Sequence, residues 1–167
     1  MLLDHTIPKP KTLEGYRVHQ LVQGITNGET PLFLDKGYSI LVRTEQPITE
    51  KGEPIRSVSK GDIIAFELRA CVSKKVSGKH KYFEGSNYKA RHDWLRAKGA
   101  QNGFEPLTMT CSTEMQKIMD AKGRSFLVDK TDFAGILKVV DVENFNKALK
   151  GGIGSTAKAF GFGLLVI

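Results

Sequence analysis

Hydrophobic and polar positions along the chain switch repeatedly between helical and strand-like spacing. Over residues 13–25 the apolar positions fall on one helical face, which predicts a helix with Thr12 as its N-cap. Shorter apolar runs bounded by glycine, proline and charged residues predict strands around this helix, at 2–3, 32–34, 38–43 and 63–72. Residues 46–57 carry no strong pattern and are predicted as a loop or a weak short helix. The order of strand, helix, two strands and a later strand is that of a ferredoxin-like unit.

The second part of the chain again alternates between helical and strand-like spacing of its apolar positions. Helices are predicted over 87–98, ended by Gly99, and over 142–150, capped by Asp141. Between these helices the pattern predicts strands at 106–114, 115–119, 125–128 and 131–140. A hairpin turn at 120–123 joins the strands 115–119 and 125–128. The sequence therefore predicts an α+β fold with two ferredoxin-like (RRM-like) halves in tandem and a glycine-rich loop at its C-terminal end. The predicted units are residues 1–73, a basic linker at 74–86, and residues 87–167.

The charge of the chain narrows its possible partners. The 167 residues hold 25 lysines and arginines against 18 aspartates and glutamates, and this net charge of +7 favours a polyanion. The excess is concentrated in residues 74–98, where cationic side chains are interleaved with aromatic ones. This mixture suits RNA, because phosphates meet the cations and bases can stack on the rings. The alternative is a solvated lysine face with the aromatic residues in the core, and Trp94 is predicted to pack inward.

The same residues disfavour several classes of protein. The longest apolar run falls far short of the ~20 residues of a membrane span, and the first residues lack the pattern of a secretory signal. We therefore expect a cytoplasmic protein with no membrane partner, in which Cys71 and Cys111 are reduced core thiols. Its histidines and acids show no metal-ligand spacing, and it has no Gly-x-Ser-x-Gly motif. Neither a metal nor a cofactor is expected.

The segment 151–167 contains five glycines around a single lysine, Lys158, followed by an apolar run. Glycines at this density allow backbone N–H groups to approach an anion closely, which suggests a phosphate-bearing ligand. The spacing fits neither a P-loop nor a dinucleotide-binding fingerprint, because the order here is helix, glycines, strand. The alternative is a connection whose glycines only allow the helix and the strand to pack tightly.

One family combines these features. The pattern Gly-Ile-Gly-x-x-x-Lys-x-Phe-Gly-x-Gly-Leu-Leu, which ends at Leu165, resembles that of the CRISPR repeat-processing endoribonucleases, a group of ferredoxin-like RAMP proteins, and in particular their CasE type. Three further matches follow in the family's order: the segment Tyr16-Arg-Val-His19, the strand 61–70 with its Leu-Arg-Ala core, and the Trp-Leu helix at 91–98.

The resemblance implies a metal-independent endoribonuclease. Such an enzyme binds and cleaves the hairpin of CRISPR repeats in precursor crRNA, which gives mature crRNA and a 2′,3′-cyclic phosphate. It implies His19 as the principal general acid or base and Tyr16 as its helper. Lys158 is the third candidate catalytic residue, because a lysine can orient groups or stabilise charge. The expected RNA contacts come from the glycine-rich loop and the basic stretch: Gly152, Gly154, Lys158, Gly161, Gly163, Lys74, Lys75, Lys79, Lys81 and Arg91. The expected partners are the repeat hairpin and other Cas proteins of an effector complex.

Two other interpretations stay open at the level of the sequence. One is a non-catalytic RNA-binding protein of the same fold within a CRISPR effector complex. The other is a ferredoxin-like interaction module unrelated to RNA, in which His19 is a partly exposed helix residue without a catalytic role.

Overall fold

Two four-stranded antiparallel sheets account for most of the chain in the computed structural model, which describes all of residues 1–167. The strands are β1 Leu3–Pro8, β2 Leu32–Asp35, β3 Ser39–Thr44, β4 Glu53–Pro54, β5 Ile63–Ala70, β6 Lys74–Val76, β7 Lys79–Lys81, β8 Phe104–Met119, β9 Ser125–Val139 and β10 Leu165–Val166. The helices are α1 Tyr16–Ile25, α2 Tyr88–Asn102 and α3 Val142–Gly151, with a 3₁₀ turn at Lys158–Phe160.

The first sheet has the strand order β2-β3-β1-β4, which is the order of a ferredoxin-like unit. Helix α1 covers one face of this sheet, because Val18 and Val22 are buried against Phe33, Ile40 and Val42. The helix begins at Tyr16, and Gly15, with φ 58°, occupies the N-cap position without a side-chain cap. The prediction of Thr12 as the N-cap is therefore wrong. The apolar period fixes the helix face, but it does not fix the residue at which the chain turns into the helix.

The second sheet has the equivalent order β10-β5-β9-β8, with α2 and α3 packed against one of its faces. Its core contains Leu68, Leu95, Leu137, Phe145 and Leu149, all buried. The fold class predicted from the sequence, two ferredoxin-like halves in tandem, is thus confirmed.

The predicted boundary between the halves needs correction. Strand β5 lies in the predicted N-terminal half, yet it pairs with β9 over its whole length, from Ile63↔Lys138 to Ala70↔Thr131. Its alternate residues point under α2 and α3, so β5 opens the second half. The predicted linker at 74–86 consequently lies inside that half, where β6 and β7 form a separate two-stranded hairpin between β5 and α2. Alternation predicts a strand but does not identify the sheet that it joins.

The predicted hairpin turn at 120–123 is confirmed, but the strands on either side are longer than expected. Strands β8 and β9 are continuous, paired from Phe104↔Val139 to Met119↔Ser125, with one irregularity near Pro106. Their tip is tied by Asp120, which accepts hydrogen bonds from the amides of Lys122 and Arg124.

Both cysteines are free thiols, and Cys71 is buried while Cys111 is partly exposed. Among the helices, none has the length and apolar character needed to cross a membrane.

Candidate functional site

A cavity of about 710 Å³ opens where α1, the end of β3 and the glycine-rich loop meet. Helix α1 contributes His19 and Val22 to its wall, and the 3₁₀ turn, which packs against α1, contributes Lys158. The two halves of the fold therefore bring together residues that are far apart in the sequence.

Tyr16 and His19 lie one turn apart on α1, so their side chains project from the same side of the helix. Their ring centroids are 5.5 Å apart and the planes are tilted by 38°. Both rings are partly exposed, and neither makes a hydrogen bond within the protein. The imidazole of His19 is therefore free to meet a ligand in the cavity, and the phenol of Tyr16 lies beside it without lining the cavity.

Lys158 begins the 3₁₀ turn directly after Ala157, which has a left-handed backbone conformation with φ 61°. Its ammonium donates a hydrogen bond of 2.6 Å to the carbonyl oxygen of Gly151, which fixes it at the cavity wall. Partial burial lowers the pKa of Lys158, and the positive charge of Lys98 lowers it further. The site thus holds a partly desolvated cation with no carboxylate partner.

Three of the loop glycines serve contacts inside the fold. A Cβ at Gly152 would lie 2.9 Å from the carbonyl oxygen of Gly163, and one at Gly161 would lie 2.9 Å from the ring of Phe33. Their φ angles of +80° to +93° belong to the left-handed region that favours glycine. The amides of Gly152, Gly161 and Gly163 donate to the carbonyls of Ala148, Lys158 and Arg69.

The expectation that these three amides contact RNA is therefore wrong. Glycine density indicates that something approaches the backbone closely, and here that neighbour is the protein itself. The open part of the loop is its apex, where the amides of Gly154, Ser155 and Thr156 make no hydrogen bond within the protein. Of the predicted loop contacts, Gly154 and Lys158 remain available to an anion.

The lysines predicted to bind RNA project from the β6–β7 hairpin, outside both sheets. Lys74, Lys75, Lys79 and Lys81 are all exposed, and the strands place Lys74 opposite Lys81. At the base of the hairpin, Tyr82 packs in the apolar cluster that includes Ala157 and Phe160 of the glycine-rich loop. Burial raises the pKa of Tyr82 to about 12. A cationic arm is thereby anchored beside the glycine-rich loop.

Arg91 belongs to the interior, and its predicted RNA contact is wrong. Its side chain is 1% exposed and donates a 2.5 Å hydrogen bond to the buried carboxylate of Asp129. It also donates to the carbonyls of Glu84 and Asn87 and to the hydroxyl of Thr131. The sequence shows a cation in a basic stretch, but only packing decides which side of α2 it occupies.

Arg43 is a residue of the cavity that the sequence did not reveal. Its guanidinium is buried, pairs with both carboxylate oxygens of Asp4, and donates to the carbonyls of Leu149 and Leu165. Leu149 precedes the first glycine of the loop and Leu165 follows the last one, so the side chain of Arg43 holds both ends of the segment that carries Lys158. The available signal was a lone arginine at the end of the apolar strand 38–43.

Comparisons with known proteins agree with this architecture. A family model described as "CRISPR associated protein" matches residues 10–167. The structure of Thermus thermophilus Cse3 bound to an RNA representing a pre-cleavage complex superposes with a TM-score of 0.80, at 20% identity, over 99% of this chain and 97% of that one. Cas6e from Escherichia coli K-12 superposes with a TM-score of 0.75, at 20% identity, over 99% and 98% of the two chains.

A chain of a CRISPR RNA-guided surveillance complex gives a TM-score of 0.76, at 18% identity, over 98% of this chain and 97% of that one. No curated protein matches the sequence. At these identities the solved structures establish a shared fold.

Proposed function

Because the chain belongs to the CRISPR-associated protein family, we propose that it is a CasE-type endoribonuclease that binds the hairpin of a CRISPR repeat and cuts the RNA without a metal ion. The observation that supports this most directly is the meeting of His19 and Lys158 in one cavity, with Tyr16 beside His19. Cleavage by the RNA's own 2′-hydroxyl needs proton transfer and stabilisation of negative charge, which an imidazole, a phenol and an ammonium can supply.

The proposed reaction uses the 2′-hydroxyl as nucleophile on the adjacent phosphate. Its oxygen attacks phosphorus and loses a proton, the 5′-oxygen leaves and gains a proton, and a 2′,3′-cyclic phosphate remains. His19 transfers one of these protons, because an imidazole ring can both accept and donate a proton. Tyr16 orients or assists it, and Lys158 stabilises the negative charge that develops on the phosphorane oxygens.

We further propose that the β6–β7 hairpin supplies most of the affinity for the RNA. Its four lysines are exposed, have no carboxylate partners, and stand beside the loop that carries Lys158. Phosphate contacts of this type are independent of sequence and weaken as salt is added. They hold a duplex stem while the cavity receives the strand that is cut.

The partners follow from the same proposal. The similar Cse3 structure contains an RNA, and another similar chain is part of an RNA-guided surveillance complex. We propose that this chain binds repeat RNA as they suggest and stays with its product in an assembly of Cas proteins.

The decisive experiment incubates the purified protein with an RNA that carries the repeat of the CRISPR array nearest its gene, in buffer containing EDTA. Cleavage to a product with a 2′,3′-cyclic phosphate end supports the proposal. Tight binding without cleavage would identify a non-catalytic RNA-binding protein, and neither binding nor cleavage would point to an interaction module unrelated to RNA. A repeat with 2′-deoxyribose at the nucleotide before the cut is the control, because it lacks the nucleophile.

A further inference from the structure

Helix α2 and the apex of the glycine-rich loop meet over one indole ring. The Nζ atom of Lys98 lies 5.6 Å from the centroid of Trp94, one helical turn away. A Cβ built on Gly154 would lie 3.6 Å from Cζ2 of the same ring. Trp94 is itself stacked on Phe133, with centroids 6.1 Å apart and planes within 6°. The ring therefore forms a fixed floor between a lysine and the open part of the loop.

The lysines of this region differ in how their charges are compensated. Lys89, Lys147 and Lys150 each form an ion pair with a carboxylate. Lys98 contacts only the indole, and Lys158 only a backbone carbonyl. The two uncompensated cations are close enough for the charge of Lys98 to lower the pKa of Lys158. Two neighbouring cations without an acid repel each other, and a bound anion relieves that repulsion.

The loop apex adds donors to these cations. The amides of Gly154, Ser155 and Thr156 have no acceptor within the protein, and Gly154 has a φ of +80°. Successive free amides next to a left-handed residue form a concavity suited to an anion. Lys98 does not line the cavity that holds His19. An anion bound at Lys98 would therefore lie outside that cavity.

We propose that Lys98, the Trp94 indole and the amides of residues 154–156 form a second phosphate-binding site, which holds an RNA backbone phosphate other than the one that is cut. Lys98 is a positioning residue in this scheme: it fixes the strand on the α2 side of the loop while Lys158 faces the cleaved phosphate. The inference rests on the proposed function, because the ligand is the same RNA.

The test combines protein variants with RNAs in which single phosphates are neutralised. Binding is measured with repeat RNAs that carry 2′-deoxyribose before the cut, so that they are not cleaved, and a methylphosphonate at one position at a time. In the wild-type protein, neutralising the phosphate held by Lys98 is expected to weaken binding about tenfold. In Lys98→Gln, the same methylphosphonate is expected to weaken binding no further, whereas other positions keep their full effect.

Lys138→Gln is the matched control, because Lys138 is an exposed lysine on β9 whose neighbours in sequence, Leu137 and Val139, point to the opposite, helix-covered face. In Lys138→Gln, a methylphosphonate at each position is expected to weaken binding as much as it does in the wild-type protein. Lys98→Arg is expected to restore the position-specific penalty, which a purely structural role of Lys98 would not produce.

The outcomes separate this inference from the function on which it rests. If the wild-type protein neither binds nor cuts repeat RNA, the proposed function fails and the phosphate site fails with it. If the wild-type protein binds and cuts, but the effects of Lys98→Gln and of each methylphosphonate add independently at every position, the phosphate site alone is overturned.

Discussion

Replacing Gly163 by alanine tests whether the glycine-rich loop is built for close internal contact. The backbone there has φ +93°, and an added Cβ would lie 2.9 Å from the carbonyl oxygen of Ile153. Gly61 is a matched control, because it has the same φ of +93° with nothing within 4 Å of the added carbon. Both alanine variants carry the strain of a left-handed residue, about 1–2 kcal/mol, and only Gly163→Ala adds steric overlap to it.

The overlap gives the predicted difference between the two variants. An ordinary contact at the Cβ of Gly163 would need roughly 0.5 Å more space, and forced repacking of this kind typically costs about 1–3 kcal/mol. We therefore expect Gly61→Ala to lower the free energy of unfolding by about 1–2 kcal/mol and Gly163→Ala to lower it by about 2–5 kcal/mol. Urea denaturation with unchanged slope provides the measurement.

The same substitution should disturb the site. The added carbon would also touch Lys158, at 3.5 Å from its Cγ, so relief of the overlap moves the segment that carries this lysine. Misplacing a catalytic group by about 1 Å can lower the rate about a hundredfold. Single-turnover cleavage at a temperature where the variant is folded should fall at least tenfold, while Gly61→Ala stays near the wild-type rate. Equal destabilisation of the two variants would refute the close-contact explanation, and a wild-type cleavage rate in Gly163→Ala would refute the link to Lys158.

Four other predictions address individual side chains. His19→Ala is expected to lower the single-turnover cleavage rate by a factor of about 10²–10⁴, while its RNA affinity stays within about tenfold of the wild-type value. An RNA with sulfur in place of the 5′-bridging oxygen should restore the rate of this variant only if His19 is the general acid. The pKa of Lys158 is lower in the folded protein than in the unfolded chain, so protonated Lys158 destabilises the folded state at pH values below its folded-state pKa, and this destabilisation fades as pH rises. Lys158→Met should therefore raise the Tm at pH 7 and slow cleavage, and an unchanged Tm would contradict this. Arg91→Leu should cost about 3–5 kcal/mol by leaving Asp129 buried and unpaired, and replacing both residues by apolar ones should recover much of it; an unchanged urea midpoint in the single variant would disprove the buried pair. Neutralising the four hairpin lysines should lower the salt slope of binding by roughly 0.7–0.9 for each phosphate that they neutralise in the wild-type complex, and an unchanged slope would show that they do not meet the RNA.

The sequence by itself determined the features that depend on near neighbours in the chain. The apolar period placed α1 and α3 to within a few residues, and the spacing of Tyr16 and His19 on a helix put the two rings on one side of it. The turn at 120–123 followed from its residues. The motif around Lys158 predicted the fold family, because its glycines and its lysine stand in a fixed order.

The tertiary structure decided everything that depends on which surfaces meet. Strand β5 has the same alternation whichever sheet it joins, so only its pairing with β9 assigned it to the second half. Arg91 and the hairpin lysines share one basic stretch, yet one is buried against Asp129 and the others face solvent. The loop glycines can be recognised in the sequence, but the residues that they contact cannot. A close contact depends on two segments of the chain, and the glycine motif identifies only one of them. The meeting of His19 with Lys158 has the same origin: the two residues are 139 positions apart along the chain and come together only when both halves fold and pack.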